Sequence, residues 1–220
     1  MAGPYPAAAA PHRCDDRPGR LRGHLLVEGA LRPGYRPWRH AGSQLSLGPF
    51  GWVNTIAILL AAGGLLAFAA GLGRALPTGT GSTWGPRLLG VAGTCFALLA
   101  VFPDDPGLGY PPGVPVRRRL VHGLAGTVAF GCLSAACFVL ARRFAGDPAW
   151  RGWARYSTVT GVVVAVGYLA TAVATGMDQA GVLSNGPGGL LQRGMIIAGL
   201  RSGHPACRSP APPTAPATTS

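Results

Sequence analysis

Lysine is absent from this sequence: all nineteen basic residues are arginine, and Asp and Glu together number only seven. Charge physics does not ask for that bias, since lysine serves equally well on an exposed surface, and we read it as GC-rich codon usage. Charged residues of either sign make up 12% of the chain, about half of what a soluble domain carries. With 48% apolar residues, that scarcity argues against a water-soluble globule. Glycine and proline are abundant, 35 and 21 residues, yet a mean hydropathy of +0.30 is far too apolar for a solvated coil. Five cysteines are too few and too scattered for a disulfide scaffold. Cys95, Cys132 and Cys137 lie in apolar runs, and the last two fall about 140° apart around a helix, so all three are expected to be reduced and buried.

Enzyme signatures are also missing. There is no HExxH zinc motif, no GxSxG elbow and no GxxxxGK[ST] phosphate loop. Gly71, Gly73 and Gly79 follow a long apolar run and do not form a GxGxxG fingerprint. These gaps lower the enzyme class, and no cofactor or metal is expected. The formal charge of +12 suggests nucleic acid at first sight, but the arginines sit between apolar blocks without interleaved aromatics. Attraction to anionic lipid headgroups is the simpler reading, which makes membrane lipids the expected partners and excludes nucleic acid.

What is present is four long stretches with scarcely a charge. At 1.5 Å per helical residue each crosses, or nearly crosses, a hydrocarbon core of about 30 Å. They run from about residue 50 to 73, 86 to 102, 120 to 141 and 156 to 177. Pro86 falls in a tolerated first turn and Arg87 can snorkel. Aromatics mark interfacial levels: Phe50 and Trp52 open the first span, Trp84 precedes the second, and Trp150, Trp153 and Tyr156 precede the fourth. The expected fold is all-α, a polytopic transmembrane helical bundle. A soluble all-α core would have to leave four such helices without a polar face. His122 is the lone histidine of the four spans, so a haem held by two transmembrane histidines lacks a ligand.

Glycine, alanine, serine and threonine are dense in these helices. Gly123, Thr127, Gly131 and Ala135 recur every four residues, a stripe that lets backbones approach closely; intramolecular packing is the favoured reading, helix association with another copy or another membrane protein the alternative. A fifth apolar piece, Gly188 to Leu200, is interrupted by Gln192 and Arg193 and is too short to span. Residues 1–24 carry no secretory h-region, and 201–220 are rich in proline; both read as disordered or frame-altered tails around a membrane domain of residues 25–200.

The segments LLVEGALRPGYRPWRHAGSQLSLGPFGWVN, VFPDDP, RLVHGLAG and RRFAGDPAWRGWARYS, in that order, resemble the bacterial membrane family known as domain of unknown function 998. The resemblance covers roughly Leu25 to Leu200. It implies a six-helix pattern in a bacterial cell membrane, of which four helices are clear here. Only LLVEG stands where the first helix belongs and only GLLQRGMIIAGL where the sixth does, which leads to the expectation of a frame change or mistaken start. The FPDDP-like exit and a histidine at the start of the next helix recur in the family, which singles out Asp105 and His122 as a candidate polar site. Asp104 stands where the family pattern has threonine.

Crossing parity places the segment before the first span, the loop after the second and the segment after the fourth on one side. That side carries Glu28, Asp104, Asp105 and Asp178 with His40 and His122; the other has Asp147 beside Arg74, Arg87, Arg142, Arg143, Arg151 and Arg155. Arg117, Arg118, Arg119, Trp52 and Trp153 are expected as interfacial anchors. A carboxylate and an imidazole across a loop can exchange a proton, share a cation or hold two helix ends together, although PDDP also ends helices and starts turns unaided. Arginine counts, seven against six without the tails, do not set the orientation; the resemblance implies that the two short loops are cytoplasmic. Three functions are weighed: a structural or regulatory membrane component, a proton-linked small-solute transporter using Asp105 and His122, and a lipid-modifying enzyme, the weakest of the three.

Overall fold

The computed structural model describes residues 29, 31–115 and 120–201. Both tails except Arg201, and the three arginines at 117–119 expected as anchors, lie outside the described residues.

The described chain is all-helical: α1 (Gly51–Ala75), α2 (Trp84–Val101), α3 (Leu120–Ala145), α4 (Arg151–Gln179) and α5 (Gly188–Arg201), with 3-10 turns at Gly42–Ser46 and Pro148–Trp150. This is a multi-pass membrane protein. Helices α1 to α4 are each long and apolar enough to cross a bilayer, and in α1 only 11% of the most apolar window is buried. Large apolar side chains such as Leu60 and Leu169 are 71% and 63% exposed, an arrangement that water would penalise and lipid tails accept.

All four expected spans are present, and the differences lie at their ends. The third continues from Ala141 through Arg142 and Arg143 to Ala145, and the fourth begins at Arg151 instead of Tyr156. A helix does not stop where charge begins, because arginine is a good helix former and its long stem carries the guanidinium back to the interface. Pro86 is the third residue of α2, where no intrahelical N–H is lost. The short fifth piece forms α5.

Each helix packs mainly on its neighbour in sequence, giving an antiparallel row from α1 to α5. Gly188 lies against Thr175 and Gly167 against Met195, so α5 runs back along α4. A core of Ala69, Leu89, Ala136 and Leu140 joins α1, α2 and α3 at the end near the short loops. Small residues set the close approaches: a Cβ on Gly93 would sit 2.9 Å from Leu66 Cγ, and one on Gly161 3.0 Å from Phe138. The expected stripe packs only in part: Thr127 Oγ1 lies 2.8 Å from the Tyr168 hydroxyl of α4. At Gly123 and Gly131 an added Cβ meets nothing within 4 Å, because α3 turns Gly126 and Ala129 inward instead. Nor are all three cysteines buried: Cys95 is, while Cys132 and Cys137 are half-buried, and all are free thiols.

Candidate functional site

Three stretches meet at the end of the row where α1 and α3 begin and α2 and α4 end: residues 31–50, residues 102–115 and the connection from α4 to α5. They are the segments that parity assigns to one side, and together they form a polar cap.

The stretch before α1 is folded by its own polar groups. Gly34, at a φ of 78° that glycine adopts without strain, turns the chain so that Tyr35 packs inward, 6% exposed. The Tyr35 hydroxyl lies 3.1 Å from His40 O and 2.9 Å from Ala41 O. His40, 2% exposed, accepts the Arg36 N–H at Nδ1 over 2.9 Å. That bond assigns the neutral Nε2–H tautomer, and Nε2 reaches Leu108 O at 3.2 Å. Burial is the main cause pushing the His40 pKa below the ordinary histidine range, with Arg39 and Arg36 adding to it and the Leu108 carbonyl and Asp178 opposing. Tyr35, His40 and Tyr110 form a ring cluster with centroids 5.1 to 5.4 Å apart; burial likewise raises the Tyr35 pKa.

The loop after α2 offers carbonyls to these donors. Gly107 and Tyr110 exchange two backbone hydrogen bonds around Leu108 and Gly109, both at positive φ. Leu108 pays for that left-handed conformation, which is unfavourable for a branched residue, while its carbonyl receives both His40 Nε2–H and Arg39 Nη1–H. Gln44 Nε2 donates to Gly107 O at 3.3 Å, and Asn54 in α1 reaches back to Gly42 O and Ser46 Oγ.

Two arginines fasten the far elements. Arg39 grips Asp178 at the end of α4 with two bonds, 2.6 Å from Nε and 2.8 Å from Nη2; the Asp178 side chain is 1% exposed and also accepts the Gly186 N–H. Arg193 in α5 is 4% exposed. Its Nη1 donates to Pro37 O, His40 O and Gly189 O at 2.7 to 3.0 Å, and its Nη2 to the Tyr35 hydroxyl. A guanidinium is suited to this, having five donors in a planar fork. Gly189 must be glycine, since a Cβ there would lie 2.3 Å from His40 O. Gln192 accepts the Gly42 N–H at 2.6 Å, and Trp38 O accepts the Leu190 N–H at 3.0 Å.

Asp104, Asp105 and His122, singled out in the sequence, lie at the edge of this cap, and Trp153 lies at the opposite end. Asp104 accepts the Ser43 hydroxyl at 2.7 Å and the Asp105 N–H at 2.9 Å. His122 Nδ1–H donates to Phe102 O at 2.7 Å, tying the last carbonyls of α2 to the first turn of α3. Asp105 and His122 are both half-buried. Trp52 is exposed in the first turn of α1, and Trp153 packs edge-on against Tyr156. Among the described residues, no group of three His, Cys, Asp or Glu side chains gathers as a metal site. Sequence reasoning did not foresee Arg193, Gln192, Tyr35, Tyr110 or Asn54 as members of one cluster. For Arg193 a signal existed: an arginine inside an apolar piece demands a partner.

A family model described as "Protein of unknown function (DUF998)" matches residues 24–201. No curated protein and no solved structure matches the chain.

Proposed function

The chain belongs to that family, and on that premise we propose that it is a structural or regulatory protein of the bacterial cell membrane whose working part is the polar cap. In this reading the cap is a clasp: it keeps the stretch before α1, the loop after α2 and the α4–α5 connection in one arrangement and presents them to a partner. The observation that carries it is the buried Arg193, which donates to Pro37 O, His40 O and the Tyr35 hydroxyl before α1 and to Gly189 O in its own helix. Bonds that link separate stretches in this way hold a shape, although Arg193 Nε and Gln44 Oε1 are buried without a partner; a transport site needs groups open to a solute. His122 then serves to fasten the exit of α2 to the start of α3. The open faces of α1 and of the Gly123 and Gly131 stripe are the surfaces for association with a second copy or another membrane protein.

The test is made on purified protein in vesicles with an imposed proton gradient. Asp105→Asn and His122→Gln are expected to lower the unfolding midpoint, and neither wild type nor variants should carry solute in response to pH. Proton-driven flux in the wild type, lost in variants that remain folded, would overturn the clasp reading in favour of the transporter.

A further inference from the structure

A groove of about 740 Å³ opens between α3 and α4 at the end of the row away from the cap. Its lining is graded. Arg142, Arg151 and Arg155 line it near the short α3–α4 connection, and Ala135, Phe138 and Thr158 line it further along the helices towards the bilayer centre. Seven residues separate Ala135 from Arg142 on α3, and seven separate Arg151 from Thr158 on α4, about 10 Å of polar-to-apolar change along each helix. Among the described residues none of the three arginines has a hydrogen bond or ion pair, whereas the adjacent Arg143 donates to Thr78 O and Thr80 O at 2.8 and 3.1 Å.

Three further observations give the groove a sign and a depth. The first turn of α4 has no acidic residue, and Trp150 before it makes no side-chain cap, so the positive end of the helix lies at the same end of the groove. Six arginines at this end stand against one carboxylate, Asp147. Trp150 stacks on Phe144 and Trp153 meets Tyr156 edge-on, aromatic pairs of the kind that settle at the headgroup level.

We propose that this groove is a binding site for an anionic phospholipid, its phosphate held by Arg142, Arg151 and Arg155 and one acyl chain lying along Ala135, Phe138 and Thr158. The graded lining selects a lipid over free phosphate, because apolar walls two turns long have nothing to offer a hydrated ion. A zwitterionic lipid brings its own ammonium to the three arginines and is held less well. The inference does not depend on the clasp.

Spin-labelled phosphatidylglycerol, or spin-labelled phosphatidylcholine, at a few mole per cent in phosphatidylcholine vesicles containing the full chain reports the immobilised lipid. The anionic label is expected to be held preferentially, and each Arg→Gln change at the three positions should lower that preference roughly fivefold. Replacement of all three by lysine should keep most of it. Thr158→Trp fills the apolar part of the groove without altering charge and should release the lipid; it also carries the test if an Arg→Gln variant fails to fold. Equal retention of both labels by the wild type, or retention by Thr158→Trp, would overturn the proposal. Displacement by millimolar glycerol 3-phosphate would identify a phosphate site instead and overturn it as well.

Discussion

Arg193 on α5 donates from Nη1 to the carbonyl of His40, 153 positions earlier, over 3.0 Å. Arg193 and the Tyr35 ring are also in contact, with 5.4 Å from the guanidinium carbon to the ring centroid. A cation held by three carbonyls, a phenol and an aromatic face is solvated by protein in place of water. Removing it strands several buried acceptors at once.

Arg193→Met is therefore expected to destabilise the fold by about 3 kcal/mol or more, seen as an earlier midpoint in denaturant titration in mild detergent. Arg193→Lys should recover only part of the loss, since one ammonium on a flexible stem cannot serve these acceptors as a planar fork does. Full recovery by lysine would mean that charge alone matters there.

The Arg39 and Asp178 pair joins the cap to the end of α4, and the carboxylate is the buried partner. Asp178→Asn should cost about 3 kcal/mol, the scale for breaking a buried pair, with Arg39→Gln costing less because Arg39 is partly exposed. The double variant should cost less than the sum of the singles. Strict additivity in a double-mutant cycle would show that the two do not interact.

His40 predicts a pH dependence. Its pKa is lowered in the fold, so between that value and the ordinary one near 6.5 the unfolded chain holds a proton that the folded chain does not. Stability contributed by neutral His40 is present above about pH 6.5 and is lost as pH falls through the window to the lowered value. Protonation at Nδ1 would also remove the acceptor for the Arg36 N–H. Melting temperatures measured between pH 5 and 8 should fall on the acid side, and His40→Gln should flatten that fall.

Glycine substitutions separate packing from association. Gly189→Ala should detach α5 from the cap, because its Cβ would lie 2.3 Å from His40 O and 2.5 Å from Pro37 O. Gly123→Ala and Gly131→Ala meet nothing within 4 Å and should raise monomer stability by up to about 1 kcal/mol each through helix propensity. If those two variants instead shift a dimer to monomer in cross-linking or light scattering, the open stripe is an association face.

Much of the architecture was legible along the chain, and particular residues show where legibility ended. Long uncharged runs announced α1 to α4, since burial in lipid tails depends on local composition alone. The ends of α3 and α4 were less clear, because Arg142 and Arg151 are polar in composition yet continue the helix. Asp178 and His40 could be assigned to one side by parity, but not joined to Arg39 and Leu108. Arg193 was visible as an interruption of an apolar piece, with no hint that its partners lay some 150 positions upstream.

The sequence by itself determined that this chain crosses a membrane four times and which segments share a side. The physical reason is that transfer to lipid is a sum over contiguous residues, and crossing parity is a count. Only the tertiary structure decided that Tyr35, His40, Leu108, Asp178 and Arg193 converge in one cap and that Arg142, Arg151 and Arg155 share one groove. The cap pairs groups distant in the chain and the groove depends on how α3 packs on α4, and no local property of the sequence encodes either.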